Sequence, residues 1–320
     1  MPIPATDYIW FNGKLVPWEK ATVHVLAHAL HYGSSVFEGI RAYATPRGVG
    51  IFRLRDHTRR LYDSARIYRI QIPYPPDQLD AACREVVAVN RLARGAYLRP
   101  VAFRGYGEIG VAPKVEPPID VAVAAWEWGK YLVHDSDAEG VDVCVSSWQR
   151  MAPNTLPAMA KAAGNYLSSQ LISLEAKRLG FAEGIALTTD GLVSEGGGEN
   201  LFLVKEGVLL TPALAHSVLG GITRNSVMHL ARELGLEVRE CAVPRELLYL
   251  ADELFFTGTA VEVTPIRSVD RLAVGTGKRG PITEKIQQAF FGLFDGRTED
   301  KWGWLDYVDM RADAKVAAAR

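Results

Sequence analysis

The chain is poor in cysteine, in net charge and in long apolar runs. Cys83, Cys144 and Cys241 are the only cysteines among 320 residues, odd in number and isolated. They exclude a disulfide frame and a C-x-x-C redox pair, and they point to a reducing compartment. Basic and acidic residues number 36 and 37, a net charge of −1. Such a balance gives no global pull toward nucleic acid or an anionic membrane, so any anion must be held by a local site. No apolar stretch reaches the ~18 residues that a membrane span needs. Met1 to Lys14 has no basic start ahead of an apolar core, so no signal peptide is expected. Repeats and low-complexity segments are also missing. Together these features predict a cytoplasmic protein. What is present is ordinary globular material, 48% apolar and 23% charged, and long enough for two domains and a large core.

In the first half, strands and helices alternate. Tyr8 to Leu15 reads as a strand pair around an Asn12-Gly13 turn. Phe37 to Ala44 and Gly50 to Leu54 read as strands around a Pro46–Gly48 turn. A helix is expected over Arg55 to Tyr68, with Asp56 as its N-cap, and a second over Asp77 to Leu92 after a break at Pro73, Pro75 and Pro76. Tyr97 to Arg104 and Ile119 to Trp128 read as buried strands. Residues 129–140 are polar and turn-rich, the best candidate for an interdomain linker. The second half opens on a strand at Val141 to Trp148. A helix follows from Lys161 to Leu179, stopped by Gly180. A meander then runs from Ile185 to Thr211 through the Asp190-Gly191 and Glu206-Gly207 turns. A helix starts near Ile222, and Phe255 to Thr264 is a strand broken at Gly258-Thr259. The tail from Arg311 is alanine-rich and charged, and is expected to fray.

Four local patterns carry chemistry, each beside a plainer reading. Lys161 lies among small apolar neighbours that would partly desolvate its ammonium, making it a nucleophile; a lone lysine is more often a solvated charge. Glu195 precedes Gly196, Gly197 and Gly198. It is either a solvated acid in a loop or a carboxylate held where only backbone fits, as the pyridine nitrogen of pyridoxal phosphate requires. Gly220-Gly221-Ile222-Thr223 opens a helix with N–H groups and a hydroxyl suited to phosphate, with Gly258-Thr259 as a second nest and Arg60 as a neutralising cation. Glycines before helices are common, however, and most helix arginines are only solvated. His24, His28 and His31 have i, i+4, i+7 spacing, but no acidic ligand accompanies them, so they read as structural and no metal is expected.

Read in order, these residues resemble the branched-chain amino acid aminotransferases of the class IV, fold-type IV pyridoxal-phosphate group. The resemblance runs from Asp7 to about Tyr307. Its carriers are His28-Ala-Leu-His-Tyr-Gly-Ser-Ser-Val-Phe-Glu-Gly-Ile-Arg41, Ala96-Tyr-Leu-Arg-Pro100, Ala152-Pro-Asn-Thr155, Lys161-Ala-Ala-Gly-Asn-Tyr-Leu-Ser-Ser169, Ser194-Glu-Gly-Gly-Gly-Glu-Asn200, Gly221-Ile-Thr-Arg224 and Gly258-Thr-Ala-Val-Glu262. Gly220, where many relatives have proline, and Gly197, where alanine or serine is usual, are small departures.

The resemblance implies a two-domain α+β or α/β fold like that of D-amino acid aminotransferase. It places a small N-terminal domain over residues 1–128, a linker over 129–140, a large domain over 141–310 and a tail over 311–320, with pyridoxal 5'-phosphate at the domain interface. Lys161 is the implied covalent anchor of the cofactor, Glu195 the partner of its ring nitrogen, and Tyr166 that of its phenolic oxygen. Arg60, Gly221, Ile222, Thr223 and Thr259 form the implied phosphate cup, and Leu219 packs on the ring. Tyr97, Thr259 and Ala260 grip the α-carboxylate of the substrate, and Arg99 receives the distal carboxylate of glutamate. Phe37, Trp128 and Tyr131 line an apolar pocket. Tyr32 and Val111 come from a neighbouring subunit, which implies a homodimer at least, or a hexamer built as a trimer of dimers. The implied reaction is ping-pong transamination of leucine, isoleucine or valine with 2-oxoglutarate. A D-amino acid or (R)-amine aminotransferase, or an aminodeoxychorismate lyase, is the alternative on the same fold.

Overall fold

The computed structural model describes residues 3–128 and 139–311. Tyr131, most of the expected linker and the tail from 312 therefore lie outside the described residues. The chain divides into two compact units. One comprises Met1–Gly129, Ala160–Gly164 and Phe294–Arg320; the other comprises Lys130–Met159 and Asn165–Leu293.

Strands β1 (Tyr8–Phe11), β2 (Lys14–Pro17), β3 (Ser35–Phe37), β4 (Ile40–Thr45), β5 (Gly48–Phe52), β6 (Gly95–Arg104) and β7 (Ile119–Trp126) build the sheet of the first unit, with a closing strand Leu305–Tyr307. Its order is closing strand, β5, β4, β6, β7, β1, β2, with β3 also on β6. The β1–β2 hairpin turns at Asn12 and Gly13, both with positive φ, as its two-residue loop demands. Helices α1 (His28–Tyr32), α2 (Leu54–Ile67) and α3 (Pro76–Val89) complete the unit. Leu61 and Ala65 of α2 and Leu79, Val86 and Val87 of α3 join Val36, Ile40, Leu98 and Ala102 of the sheet in one core. Each large aliphatic chain so buried contributes about 1.5–3 kcal/mol. Asp56 is not the N-cap of α2. Arg53 caps it in a left-handed conformation, and Asp56, inside the first turn, accepts from Arg53 Nε at 2.7 Å. An acid there still complements the helix dipole.

β3 and β4 run along the same edge of β6 in one register, Phe37 opposite Val101 and Ile40 opposite Leu98. They separate at Glu38 and Gly39. Glu38 N–H donates to Pro100 O at 2.8 Å, but Pro100 has no N–H to return. Side-chain alternation then decides two faces. Val36, Glu38 and Ile40 turn toward the core covered by α2 and α3. Phe37, Gly39 and Arg41 turn the other way, with Tyr97 and Arg99 of β6.

The second unit holds β8 (Val141–Val145), α4 (Tyr166–Arg178), β9 (Glu183–Leu187), β10 (Val193–Gly196), β11 (Asn200–Lys205), β12 (Val208–Pro212), α5 (Ile222–Glu233), β13 (Val238–Cys241), β14 (Glu253–Gly258) and β15 (Glu262–Val269). The sheet order is β10-β9-β8-β15-β14-β11-β12-β13, with Leu272–Ala273 on β15. β8–β9 and β12–β13 are parallel pairs, and α4 and α5 are the crossovers that such pairs require.

The helix expected from Lys161 begins only at Tyr166. Lys161 instead lies in an extended run whose Ala162 bridges to Val36. Its N–H goes to Ser64 Oγ at 2.9 Å and its carbonyl accepts from Phe37 N–H at 3.0 Å, so neither group can serve a helix ladder.

Candidate active site

On the open face of the first sheet, Tyr97 and Arg99 stand two residues apart on β6, and Trp126 of β7 lies opposite Tyr97. The rings of Tyr97 and Trp128 are 4.9 Å apart. The Arg99 guanidinium sits 4.7 Å from the Phe37 ring centroid and 5.4 Å from that of Tyr97. Its Nη2 donates to Tyr97 Oη at 3.3 Å, and its buried Nε has no partner among the described residues. No described carboxylate pairs with Arg99, so a cation is held among aromatic rings, ready for an anion. Lys161 Nζ lies 5.1 Å from the same Phe37 ring. Phe37, Tyr97, Arg99, Trp128 and Lys161 are thus brought together as one cluster.

Gly39 makes room for it. A Cβ on Gly39 would stand 2.0 Å from Tyr97 Oη.

Arg60 sits behind the strand, not in this cluster. Its Nε and Nη2 donate to Glu38 at 2.7 and 2.8 Å, and His57 Nδ1 is 2.7 Å from the same carboxylate. Burial alone would push the Glu38 carboxyl up, but the Arg60 charge and His57 outweigh it and hold Glu38 well below the ordinary carboxylate range. Burial depresses His57, against the pull of Glu38, so the ring is neutral and donates its Nδ1–H.

Tyr32 and Val111 share a surface region. His28 connects them: its ring lies 4.4 Å from that of Tyr32, and its Nε2 is 2.8 Å from Gly110 O. His31 is tied to Val25 O. Val111 is 90% exposed, and Val25, Leu30, Tyr106 and Ile109 are exposed as well.

In the second unit, Glu195 is buried at the end of the β9–β10 ribbon. Arg150 Nη2 donates to its Oε1 at 2.6 Å; Asn200 Nδ2 and the Leu219 N–H donate to its Oε2 at 2.9 and 3.0 Å. Three donors offset the cost of burying this carboxylate. Leu219 leads through Gly220 to Gly221, the N-cap of α5, which offers no side-chain cap, and no acid stands in the first turn. Ile222 and Thr223 open that turn. A Cβ on Gly221 would fall 1.8 Å from Asn200 Oδ1, so only glycine lets the helix start come this close to the Glu195 network. Thr259 and Ala260 form the turn between β14 and β15, and Gly258 packs beside Gly198 and Glu199 of the glycine loop. Tyr166 is the first residue of α4, half-buried.

Taken unit by unit, the groups suit parts of pyridoxal phosphate: the first unit has a half-buried amine at Lys161, and the second has a compensated carboxylate at Glu195 suited to a ring nitrogen and an acid-free helix start at Gly221–Thr223 suited to a phosphate. A model of the amino-transferase class IV family matches residues 35–269. A branched-chain-amino-acid aminotransferase of Escherichia coli K12 is 56% identical, aligned over 97% of this chain and 100% of its own.

The chain belongs to the class IV aminotransferases, in the branched-chain-amino-acid aminotransferase family.

Solved members of this family superpose closely. The E. coli enzyme aligns with a TM-score of 0.93 over 95% of this chain and 100% of its own, at 56% identity. The branched-chain aminotransferase of the thermophilic archaeon Thermoproteus uzoniensis, solved with norvaline, aligns with a TM-score of 0.90 at 42% identity, over 95% and 100% of the two chains. The fold is therefore the two-domain mixed α/β fold of this family.

Four side chains in these clusters carry no signal of their role in the sequence. Glu38 and Asn200 stand inside the quoted motifs but adjacent to glycine or acid, where no pattern signals a buried hydrogen bond. His57 reads as one more helix residue, and Arg150 lies outside every motif.

Proposed function

We propose that this chain interconverts branched-chain L-amino acids and 2-oxoglutarate with branched 2-oxo acids and L-glutamate, using pyridoxal phosphate. The observation that carries the reading is the Arg99 cluster. A pocket for both leucine and glutamate must offer apolar surface and also a charge partner, because an unpaired carboxylate is costly to bury. Phe37, Tyr97 and Trp128 offer the first, and Arg99, without a carboxylate among the described residues, offers the second. The relatives support branched-chain substrates over D-amino acids, (R)-amines or a lyase reaction.

The first unit supplies Lys161, whose Nζ would hold the cofactor and, once the substrate amine has displaced it, would be free to take the proton from the substrate Cα and later to return it. It also supplies Tyr97 for the α-carboxylate and Arg60 for the phosphate. The second unit supplies Glu195, which keeps the ring nitrogen protonated, and Tyr166 for the phenolic oxygen. Leu219 packs on the ring. Gly221, Ile222, Thr223 and Thr259 hold the phosphate, and Ala260 adds a backbone contact to the substrate. The cofactor, once bound, supplies the electron sink that makes Cα acidic.

Tyr32 and Val111 complete the site of a second copy. The exposed apolar side chains around them support a homodimer, which sedimentation tests; a fully active monomer refutes it. The three free cysteines, and the fact that no described helix is long and apolar enough to cross a membrane, support a cytoplasmic location.

The deciding experiment replaces Arg99 by alanine and follows each half-reaction by stopped-flow absorbance. The 2-oxoglutarate half-reaction should lose ~10²-fold in kcat/KM, the scale of a lost buried charge partner, and the leucine half-reaction much less. Equal losses would make Arg99 structural or an α-carboxylate ligand.

A further inference from the structure

Glu38 is the most deeply buried acid among the described residues of the first unit, and nothing in the reaction calls for it. It leaves the strand at the one point where β6 cannot complete the ladder, between Phe37 and Gly39. Alternation turns its carboxylate away from the open face and toward α2, where Arg60 and His57 meet it. As a source of stability such a pair is poor: a buried ion pair is often matched or bettered by apolar side chains of the same volume. What the pair does provide is direction. An arginine has a long, flexible side chain, and a bidentate carboxylate fixes the plane of its guanidinium. The planar fork can then serve a second anion on another edge.

The backbone around it fixes the other coordinate. Phe37 N–H holds the Lys161 carbonyl, and the next residue along holds the Arg60 guanidinium. From the α2 side, Ser64 Oγ accepts the Lys161 N–H and donates to the Arg60 carbonyl at 2.8 Å. Residues 37–38 and Ser64 therefore set the position of the amine and of the cation together.

We propose that Glu38, held in turn by His57, is a positioning residue that fixes Arg60 as the cation for the cofactor's phosphate. The inference rests on the reading of Arg60 as a phosphate ligand. Neutral His57 completes the arrangement by donating to Glu38 without adding a charge that would compete with Arg60 for it.

The test is phosphate selectivity. The full chain is stripped of cofactor and titrated with pyridoxal 5'-phosphate and, separately, with pyridoxal, which lacks the phosphate. Glu38→Gln should weaken pyridoxal phosphate binding by ~10- to 10²-fold and leave pyridoxal binding within about twofold, as expected for loss of a charge-mediated contact. His57→Phe should give a smaller loss with the same selectivity. In an Arg60→Met background, Glu38→Gln should cost nothing further for either ligand, because coupled residues are non-additive. A loss shared equally by both ligands, or a selective loss that persists without Arg60, overturns the proposal. If Arg60→Met is itself selective but Glu38→Gln is not, the positioning role alone fails. If Arg60→Met shows no selectivity, Arg60 is not the phosphate ligand and both readings fall. Should Glu38→Gln not fold, His57→Phe decides the matter by the same comparison.

Discussion

Among the described residues, each unit of this aminotransferase buries a glutamate against an arginine, Glu38 against Arg60 and Glu195 against Arg150, and the two pairs are proposed to be used in opposite senses. In the second unit the acid, Glu195, is the group proposed to meet the cofactor, and Arg150 is its anchor at 2.6 Å. In the first unit the cation, Arg60, is proposed to meet the cofactor, and Glu38 is its anchor at 2.7 Å. The same ion pair can therefore present either charge. Glu38 takes its donors from Arg60 and His57 inside the core. Glu195 takes Arg150 on one oxygen, with Asn200 and Leu219 on the other.

The largest effect should come from Lys161→Ala, which sets the scale for every other variant. Loss of the proton-transferring amine should lower kcat by ~10³-fold or more with the fold retained. Borohydride reduction of the wild-type holoenzyme should label a peptide containing Lys161; a label on another lysine removes the assignment.

Glu195→Gln and Arg150→Met test the division between working group and anchor directly. Glu195→Gln should lower kcat by at least ~10²-fold, as for a lost preorganised charge; it also leaves Arg150 buried without its anion, so it costs some stability too, but the larger part of its effect should fall on catalysis. Arg150→Met should do the reverse in proportion. It leaves a buried carboxylate without its cation, so ~3 kcal/mol or more of stability should be lost in denaturant titrations. If both variants lost catalysis and stability in the same ratio, the distinction between the two roles would collapse.

A smaller effect is expected where the open face of the first sheet is merely crowded. Gly39→Ala places a methyl 2.0 Å from Tyr97 Oη, so the tyrosine must move. Displacing a substrate ligand by about an ångström costs up to ~10²-fold, and here the loss should fall mainly on KM for both amino acids. An unchanged KM would mean that Tyr97 does not hold the α-carboxylate.

The smallest effect should lie far from both pairs. Hydrogen bonds from Arg267 and Ser268 hold the Asp142 carboxyl down at about 2. A depressed acid stabilises the fold above its ordinary value near 3.8 and loses that contribution as pH falls toward 2. Arg267 is largely solvent-accessible, so the contribution is below ~1 kcal/mol. Asp142→Asn should lower stability slightly at pH 7, and the difference from wild type should vanish below pH ~2. A difference that persisted there would point to packing.

The strands, the turns and the residues proposed to work in the site are legible in the sequence because each has a local cause. Asn12-Gly13 specifies a hairpin through its own backbone preference, and Gly221-Ile222-Thr223 specifies a helix start through its own amides. Lys161 and Glu195 stand in motifs whose spacing survives without knowledge of the fold. Sequence and structure part where a long-range partner overrides a local one. Local pattern has Lys161 begin a helix, but Phe37 and Ser64, distant in sequence, take its carbonyl and N–H. Asp56 has the chemistry of a cap, but Arg53 takes that place. The anchors Glu38, His57, Arg150 and Asn200 were decided only by tertiary structure. A buried ion pair exists only when two distant segments exclude water from the same point, and no local pattern encodes that meeting.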